Sequence, residues 1–486
     1  MSRTIILGAG ISGHTAALHL RRTLGPDHVV TVVSPNSHWN WIPSNIWVGV
    51  GVMDGKDVVF PLAPVYAKHN IEFIQAKATT ILPNGDDADS RGAVDVEFTD
   101  PQRSGQSARL RYDYLINATG PKLRFEATEG LGPDAGHTSS VCTAGHAVDA
   151  AAALAATIER LKAGEKQTLV VGMGHGTCTC EGAAFEYTFN VEQELRKAGV
   201  RERAELIYLT NEAQLGDFGV DGMTFTERGF RQSSQMWTES LFTERDVHSI
   251  LGAHVQRVEP GVIHYETLDG SEHTQKFDFA MLLPPFGGVG LTALDRDGTD
   301  ITATLFNPAG FMKVDGNYTP APYEEWSAED WPETYEVPGY PNIFAVGIAF
   351  APPHQISKPR TSPHGTVITP APPRTGMPSG VMGKTVAMTI ADRIAGKVDA
   401  AHKASMARLG AACVASAGTG LRSGSAATMT MFPVVPDYQK YPDTGGRNPK
   451  GTSGQIGLSG HWMKLMLHYL FLWKAKGRFG WHVIPE

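Results

Sequence analysis

The chain has 486 residues, room for roughly two to four domains of about 100–200 residues each. Its 42 Lys and Arg against 50 Asp and Glu give a net charge of −8, which argues against a nucleic-acid-binding surface spread over the chain. A hydrophobic content of 42% with 19% charged residues excludes a disordered chain, and four cysteines are too few for a disulfide-stapled scaffold.

The N-terminus reads Met-Ser-Arg and passes directly into TIILGAG, without the features of a secretory signal. No run of 18 apolar residues is present, so no spanning helix is expected and a cytoplasmic chain is the default. Residues 4–7 (TIIL) predict a short buried strand, followed by the glycine turn Gly8-Ala9-Gly10-Ile11-Ser12-Gly13. HTAALHLRRTLG then predicts a helix, and HVVTVVS at 28–34 a second strand. In that order of elements, GxGxxG is a dinucleotide-binding fingerprint. The glycines let backbone N–H groups approach a pyrophosphate at a helix N-terminus. The acidic residue that ordinarily meets the ribose is replaced by Ser34, Pro35 and Asn36. YDYLINATGPK at 112–122 predicts a strand and turn closing this unit.

A second unit begins near residue 167 with QTLVVGMGHG and its glycines 172, 174 and 176. A helix follows, then AELIYLT at 204–210 as a strand. The third glycine falls at the fifth position of the fingerprint and not the sixth, so a second nicotinamide site would be degraded. NIFAVGIAFAPP at 342–353 predicts another buried strand. Residues 316–341 and 353–379, rich in Pro and Gly, predict long surface loops. Two such units imply an α/β fold with two Rossmann-like dinucleotide-binding domains.

Cys142, Cys178, Cys180 and Cys413 show no C-x-x-C pair and no zinc spacing, so no metal is expected. Cys178 and Cys180 open the predicted second-unit helix, where a helix N-terminus favours the reactive thiolate. Glu186 lies on the same helix, and His146 follows Cys142 by four residues, one helical turn. A Cys, a His and a Glu beside a flavin would supply a nucleophile and proton carriers. The plain alternative is that each cysteine is a small buried hydrophobe. At the C-terminus, HWMKLMLHYLFLWKAK at 461–476 predicts an amphipathic helix with His461, Lys464 and His468 along one stripe. Trp, cations and a wide apolar face suit a membrane interface; packing on the protein's own core, or a dimer contact, stays open.

The chain resembles the sulfide:quinone oxidoreductases, flavoproteins of the two-dinucleotide-domain disulfide reductase superfamily. The resemblance rests on IILGAGISG, WIPSNIWVGVG, DYLINATGPKL, SVCTAGHA, CEGAAFE, AVGIAFAPP and HWMKLMLHYLFLWKAKG. It implies an FAD-binding domain from 1–125 and 300–400, a second Rossmann-like domain at 126–299, and a quinone and membrane-contact region at 401–486. It implies Cys180 and Cys413 as the redox pair, Cys142 as a third sulfur cysteine, and His146 and Glu186 as acid/base residues. Gly8, Gly10, Gly13, Ser34, Asn36, Ser44, Thr119, Gly120, Gly347 and Gly380 would hold FAD. Lys464, Leu467 and Phe471 would meet quinone. Leu467 stands where relatives carry an aromatic residue, and Trp481 or Phe479 would stand in for it. Asp217 occupies the place of a second His, Gly287 and Ser379 the places of family lysines, and Cys178 is additional.

The implied reaction is oxidation of hydrogen sulfide to polysulfide or sulfur, with electrons passing to quinone at a peripheral site on the cytoplasmic side of a membrane. The oligomeric state is open, a homo-oligomer included, and no nucleic acid partner is expected. Rival readings are a type II NADH:quinone oxidoreductase, a sulfide dehydrogenase feeding a cytochrome, and a flavin-bearing sulfur carrier without quinone turnover.

Overall fold

A computed structural model describes residues 1–486 except Arg228, Thr419, Gly420 and Ser423. The first glycine unit builds a parallel sheet in the spatial order Tyr340–Ala345, Tyr114–Asn117, Arg3–Leu7, Val29–Ser34 and Glu72–Leu82. Antiparallel strands Ala93–Phe98 and Ser107–Arg111 extend one edge, and Glu336–Val337 the other. Ile5, Ile6, Leu7, Val32, Leu115, Ile116, Ile343 and Phe344 are buried. Such continuous apolar runs are what a sheet covered on both faces requires. The chain leaves Arg3–Leu7 for one neighbour and later returns to its other side. This strand order reverses at the end of Arg3–Leu7, where open α/β sheets bind their ligands. Gly8 stands there, and the helix Ile11–Thr23 starts three residues later.

The second unit repeats the pattern. Val247–Ile250, Ala204–Leu209, Gln167–Met173 and Phe279–Leu283 pair in parallel, and the helix Glu181–Lys197 follows the glycine turn. An antiparallel meander, Ala253–Glu259, Val262–Thr267 and Glu272–Lys276, closes a smaller core around Val255, Ile263 and Leu282.

After the helix Gly376–Ile394 comes an element the sequence does not announce. Ala411–Ala417, Ser425–Met431 and Ser453–Gly457 form an antiparallel sheet that carries the helix Leu458–Ala475. AACVASA and SAATMTM are small-residue strands with little β-branching, so local pattern hides them. The last helix is amphipathic in an inverted sense. It buries His461, Lys464, His468 and Lys474, and exposes Trp462, Met463, Met466, Tyr469, Leu470 and Trp473. Among the described residues no helix is long and apolar enough to cross a membrane.

Candidate active site

Cys180 caps the helix Glu181–Lys197 in a left-handed conformation, φ +77° and ψ 34°. A side chain bearing a Cβ adopts that region at a cost of order 1–3 kcal/mol, and such strain gathers at functional sites. Gly182 follows within the first turn, and a Cβ there would stand 2.8 Å from Cys413 Sγ. The absence of a side chain at 182 thus lets the strand Ala411–Ala417 deliver Cys413 to the helix start that Cys180 caps. All four cysteines are free thiols. Burial pushes the Cys180 and Cys413 thiols up to about 12 and Cys142 up to about 11. The neighbouring carboxylates Glu181 and Glu186 add to the rise at Cys180 and Cys413, respectively. The expectation of a stabilised thiolate at this helix start is therefore corrected: desolvation outweighs the helix end. Cys178 is fully buried and donates its S–H to the Leu283 carbonyl at 3.1 Å.

The sequence assigns Glu186 and Lys464 to separate sites, one for sulfur and one for quinone. In the structure they meet: Lys464 Nζ lies 2.9 Å from Glu186 Oε2, with side chains 9% and 6% exposed. The Ser416 backbone N–H donates to Glu186 Oε1 at 3.2 Å, so the strand carrying Cys413 also holds this carboxylate. Burial raises the Glu186 carboxyl above its usual range, and Lys464 pulls it partly back. On the other side, Lys464, Leu467 and Phe471 line a cavity of about 100 Å³ with Ile11, Trp41, Pro43, Thr375, Gly376, Met377, Ala411, Ala412 and Val414. Trp41 stacks on Phe471 with centroids 5.1 Å apart and planes within 12°. That pair supplies the aromatic wall expected from Trp481 or Phe479. Trp481 instead packs edge-on against His19, and Phe479 is 98% exposed.

The residues expected to hold FAD gather around the end of Arg3–Leu7. Gly8 has φ +97°, and a Cβ there would lie 2.2 Å from the Ala118 carbonyl oxygen, so only glycine makes this turn. Gly13 backs directly onto the Gly8 carbonyl. Positions Gly10 and Gly120 look into open space, with no atom within 4 Å of a built Cβ. The first turn of Ile11–Thr23 carries no acidic side chain that would repel a phosphate. Ser34 is buried and its Oγ accepts from the Asn36 N–H at 3.3 Å; Thr119 donates its hydroxyl to Asn117 at 2.9 Å. Gly347 opens the turn after Tyr340–Ala345, beside the Ser12 side chain. This cradle fits a dinucleotide pyrophosphate. Of the other expected contacts, the Ser44 hydroxyl bonds His468 Nδ1 at 2.9 Å, and a Cβ at Gly380 would stand 3.4 Å from the Glu486 carboxylate.

Cys142 and His146 do not share a helical turn, because Thr143 caps the helix Ala144–Lys162 and Cys142 lies ahead of it. The His146 Nδ1 is buried without a hydrogen-bond partner, and its ring meets Phe125 edge-on at 5.9 Å. Asp217 is buried and accepts from the Ser357 hydroxyl. The Arg124 side chain passes against Gly287. The second glycine turn is covered. Thr369 and Ala371 donate backbone N–H groups to the Gly176 and Cys178 carbonyls, each at 2.8 Å. A Cβ at Gly176 would lie 2.5 Å from the Val367 carbonyl oxygen. Residues 367–371 of the Pro-rich loop therefore lie where a second dinucleotide would approach.

Sequence reasoning misses Arg374. Its guanidinium donates to the Phe350 carbonyl at 3.0 Å, stacks over Phe311, and opposes the rise of the Cys180 thiol. It hides in PAPPRTG, whose composition signals only a surface loop. Glu181 also escapes the sequence pattern, although it follows Cys180 directly.

The profile of the pyridine nucleotide-disulphide oxidoreductase family matches residues 2–320. The chain is 29% identical over 473 residues to the sulfide-quinone reductase of Aquifex aeolicus, covering 97% of this chain and 90% of that one. The mitochondrial sulfide:quinone oxidoreductase of Mus musculus is 22% identical, over 71% of this chain and 64% of its own length. The X-ray structure of the Aquifex aeolicus sulfide:quinone oxidoreductase superposes with a TM-score of 0.74 at 28% identity, over 98% of this chain and 92% of that one. The structure of NDH2 from Plasmodium falciparum in complex with NADH shares the fold, with a TM-score of 0.61 at 14% identity over 99% and 97% of the chains. The chain is an oxidoreductase and belongs to the pyridine nucleotide-disulphide oxidoreductase family.

Proposed function

We propose that this oxidoreductase transfers electrons from sulfide to a membrane quinone, with FAD between them and sulfur carried on Cys180 and Cys413. The observation that carries the reading is Cys413 Sγ packed against Gly182, in the first turn of the helix that Cys180 caps. The relatives named sulfide-quinone reductase support it over nearly the whole chain. FAD, when bound, supplies a two-electron acceptor and donor.

Hydrosulfide attacks a Cys180–Cys413 disulfide; Cys180 keeps the new sulfur and Cys413 leaves with the electron pair. Thiols as strongly buried as these stay protonated at neutral pH, so a disulfide bond keeps them ready for attack without a buried negative charge. Arg374 is the cation nearest in effect to Cys180 and favours the ionised form of the persulfide sulfur that Cys180 then carries. Glu186 and Lys464 join the Cys413 strand to the aromatic cavity of the last helix. They are positioned to pass a proton toward the quinone as it is reduced. Cys142 and His146 are the further residues of the sulfur side.

The inverted last helix supports docking on a lipid surface. Its exposed Trp462, Met463, Met466, Tyr469, Leu470 and Trp473 form an apolar patch followed by Lys476 and Arg478. The cavity of a lipid-soluble substrate opens on the same helix. The loop over Gly176 argues against NADH as donor. Cys180→Ala and Cys413→Ala should each abolish sulfide-dependent quinone reduction while FAD stays bound. Near wild-type turnover in either variant would overturn the scheme.

A further inference from the structure

Residues 41–51, WIPSNIWVGVG, hold no titratable side chain, yet Ser44 and the short helix Asn45–Gly49 touch all four segments that carry the sulfur and quinone residues. Asn45 Nδ2 donates to the Val141 carbonyl at 3.2 Å, next to Cys142. The Gly49 carbonyl accepts from the Tyr187 hydroxyl at 2.9 Å, on the helix that Cys180 caps. Ser44 bonds His468 of the last helix at 2.9 Å. At the centre of the short helix, Trp47 is 0% exposed, and its Nε1–H donates to the Ser416 carbonyl at 2.9 Å.

Ser416 stands three residues after Cys413 on the same strand and is fully buried. All its polar groups are engaged. Its carbonyl also accepts from Asn190 Nδ2 at 2.8 Å, its N–H donates to Glu186 Oε1 at 3.2 Å, and its hydroxyl bonds His461 Nδ1 at 2.6 Å. Fixing Ser416 therefore fixes one oxygen of Glu186. The other oxygen meets Lys464 at 2.9 Å, and the Lys464 ammonium lies 5.9 Å from the centroid of the Trp47 ring. That is near the outer reach of a cation over an aromatic face, an attraction that exclusion of water strengthens. His461 and His468 flank the same ring, with centroids at 6.5 and 6.1 Å. The ion pair also acts on Cys413: after burial, Glu186 raises its thiol, and Lys464 opposes the rise. A side chain that only filled space would not need an indole. A buried N–H must find an acceptor, and the one Trp47 finds belongs to the Cys413 strand.

We propose that Trp47 is a positioning residue shared by the two half-reactions: its N–H fixes the Cys413 strand through Ser416, and its ring face holds Lys464 against Glu186. This rests on the sulfide and quinone reading above. Trp47 itself makes no bond to sulfur or quinone. During attack by hydrosulfide, Cys413 must stay against the helix start that Cys180 caps. During reoxidation, the ammonium must stay between Glu186 and the cavity that Lys464 lines with Leu467 and Phe471. Misplacing a reacting group by about 1 Å can cost about 10²-fold in rate, so one lost tether in the supporting layer is measurable.

The test is anaerobic stopped flow on the FAD-loaded protein, with sulfide for flavin bleaching and a short-chain quinone for reoxidation, each rate taken per bound flavin. Trp47→Phe keeps a ring under Lys464 and loses the N–H. It should slow bleaching by about 3- to 10-fold, the rate equivalent of one hydrogen bond, and slow reoxidation by less. Trp47→Leu removes the ring as well and should slow reoxidation by about tenfold more. In a Lys464→Met background no ammonium rests on the ring, so Trp47→Leu and Trp47→Phe should reoxidise at the same rate. Where Trp47→Leu fails to load FAD, Trp47→Met takes its place in this cycle. Wild-type rates in Trp47→Phe, even with a lowered melting temperature, would overturn the positioning role and leave Trp47 as packing. An added loss in Trp47→Leu that persists without Lys464 would overturn it too. Failure of sulfide to bleach the wild-type flavin, or of quinone to reoxidise it, would instead overturn the reading on which the role rests.

Discussion

Replacing Lys464 by Met removes a buried cation while keeping the length of the side chain. The ammonium stands 2.9 Å from Glu186 Oε2 with both groups nearly excluded from water. At an effective dielectric of about 20, unit charges at that distance attract by about 6 kcal/mol. Desolvation of both ions offsets most of this, but removing one partner alone costs about 3–5 kcal/mol, because the other charge stays buried and unpaired. In the variant only the Ser416 N–H still pulls the Glu186 carboxyl back, and its folded value climbs further above the unfolded one of about 4.3. The loss of stability is therefore absent below that unfolded value, grows as pH rises above it, and levels off past the raised folded value. Thermal unfolding of the FAD-loaded protein across pH measures it. Lys464→Met with Glu186→Gln should recover most of the loss, since both partners are then neutral. A loss independent of pH, or a double variant as unstable as the two single losses summed, would refute the coupling.

Other outcomes follow from the same geometry. Gly182→Ala places a Cβ 2.8 Å from Cys413 Sγ and should cost about 1–3 kcal/mol of stability while suppressing flavin bleaching by sulfide; unchanged bleaching would contradict the close approach. Charge substitutions at Trp462 and Trp473, both exposed, should change thermal stability by no more than about 0.5 kcal/mol yet lower binding to lipid vesicles; undiminished vesicle binding would remove the docking face. With the Cys180 and Cys413 thiols raised to about 12, their alkylation in the fully reduced protein should be slow at neutral pH and climb about tenfold per pH unit on the alkaline side; a plateau near neutrality would mean a stabilised thiolate.

Much of the fold is legible in the sequence because it is written locally. GAGISG between two apolar runs gives Gly8 its turn and the helix Ile11–Thr23 its start, and both are found where the pattern puts them. The stripe of His461, Lys464 and His468 is legible too, but its direction is not. A periodic pattern says that two faces differ; only tertiary packing shows that the polar one is inside. The candidate site is legible as residue types and not as contacts. Glu186 and Lys464 pair across most of the chain, and residues 367–371 close over Gly176 from a loop of no periodic pattern. The thiols of Cys180 and Cys413 mislead for a related reason. A helix N-terminus is visible in sequence, whereas the desolvation that overrides it depends on what the fold lays on top.

The most direct measurement is an anaerobic titration of the FAD-loaded wild-type protein with sulfide, followed by quinone, read from the flavin absorbance. The account predicts bleaching by sulfide, full recovery of the oxidised spectrum on adding quinone, and no bleaching by NADH. Bleaching by NADH but not by sulfide would contradict it, and so would a sulfide-reduced flavin that quinone leaves reduced.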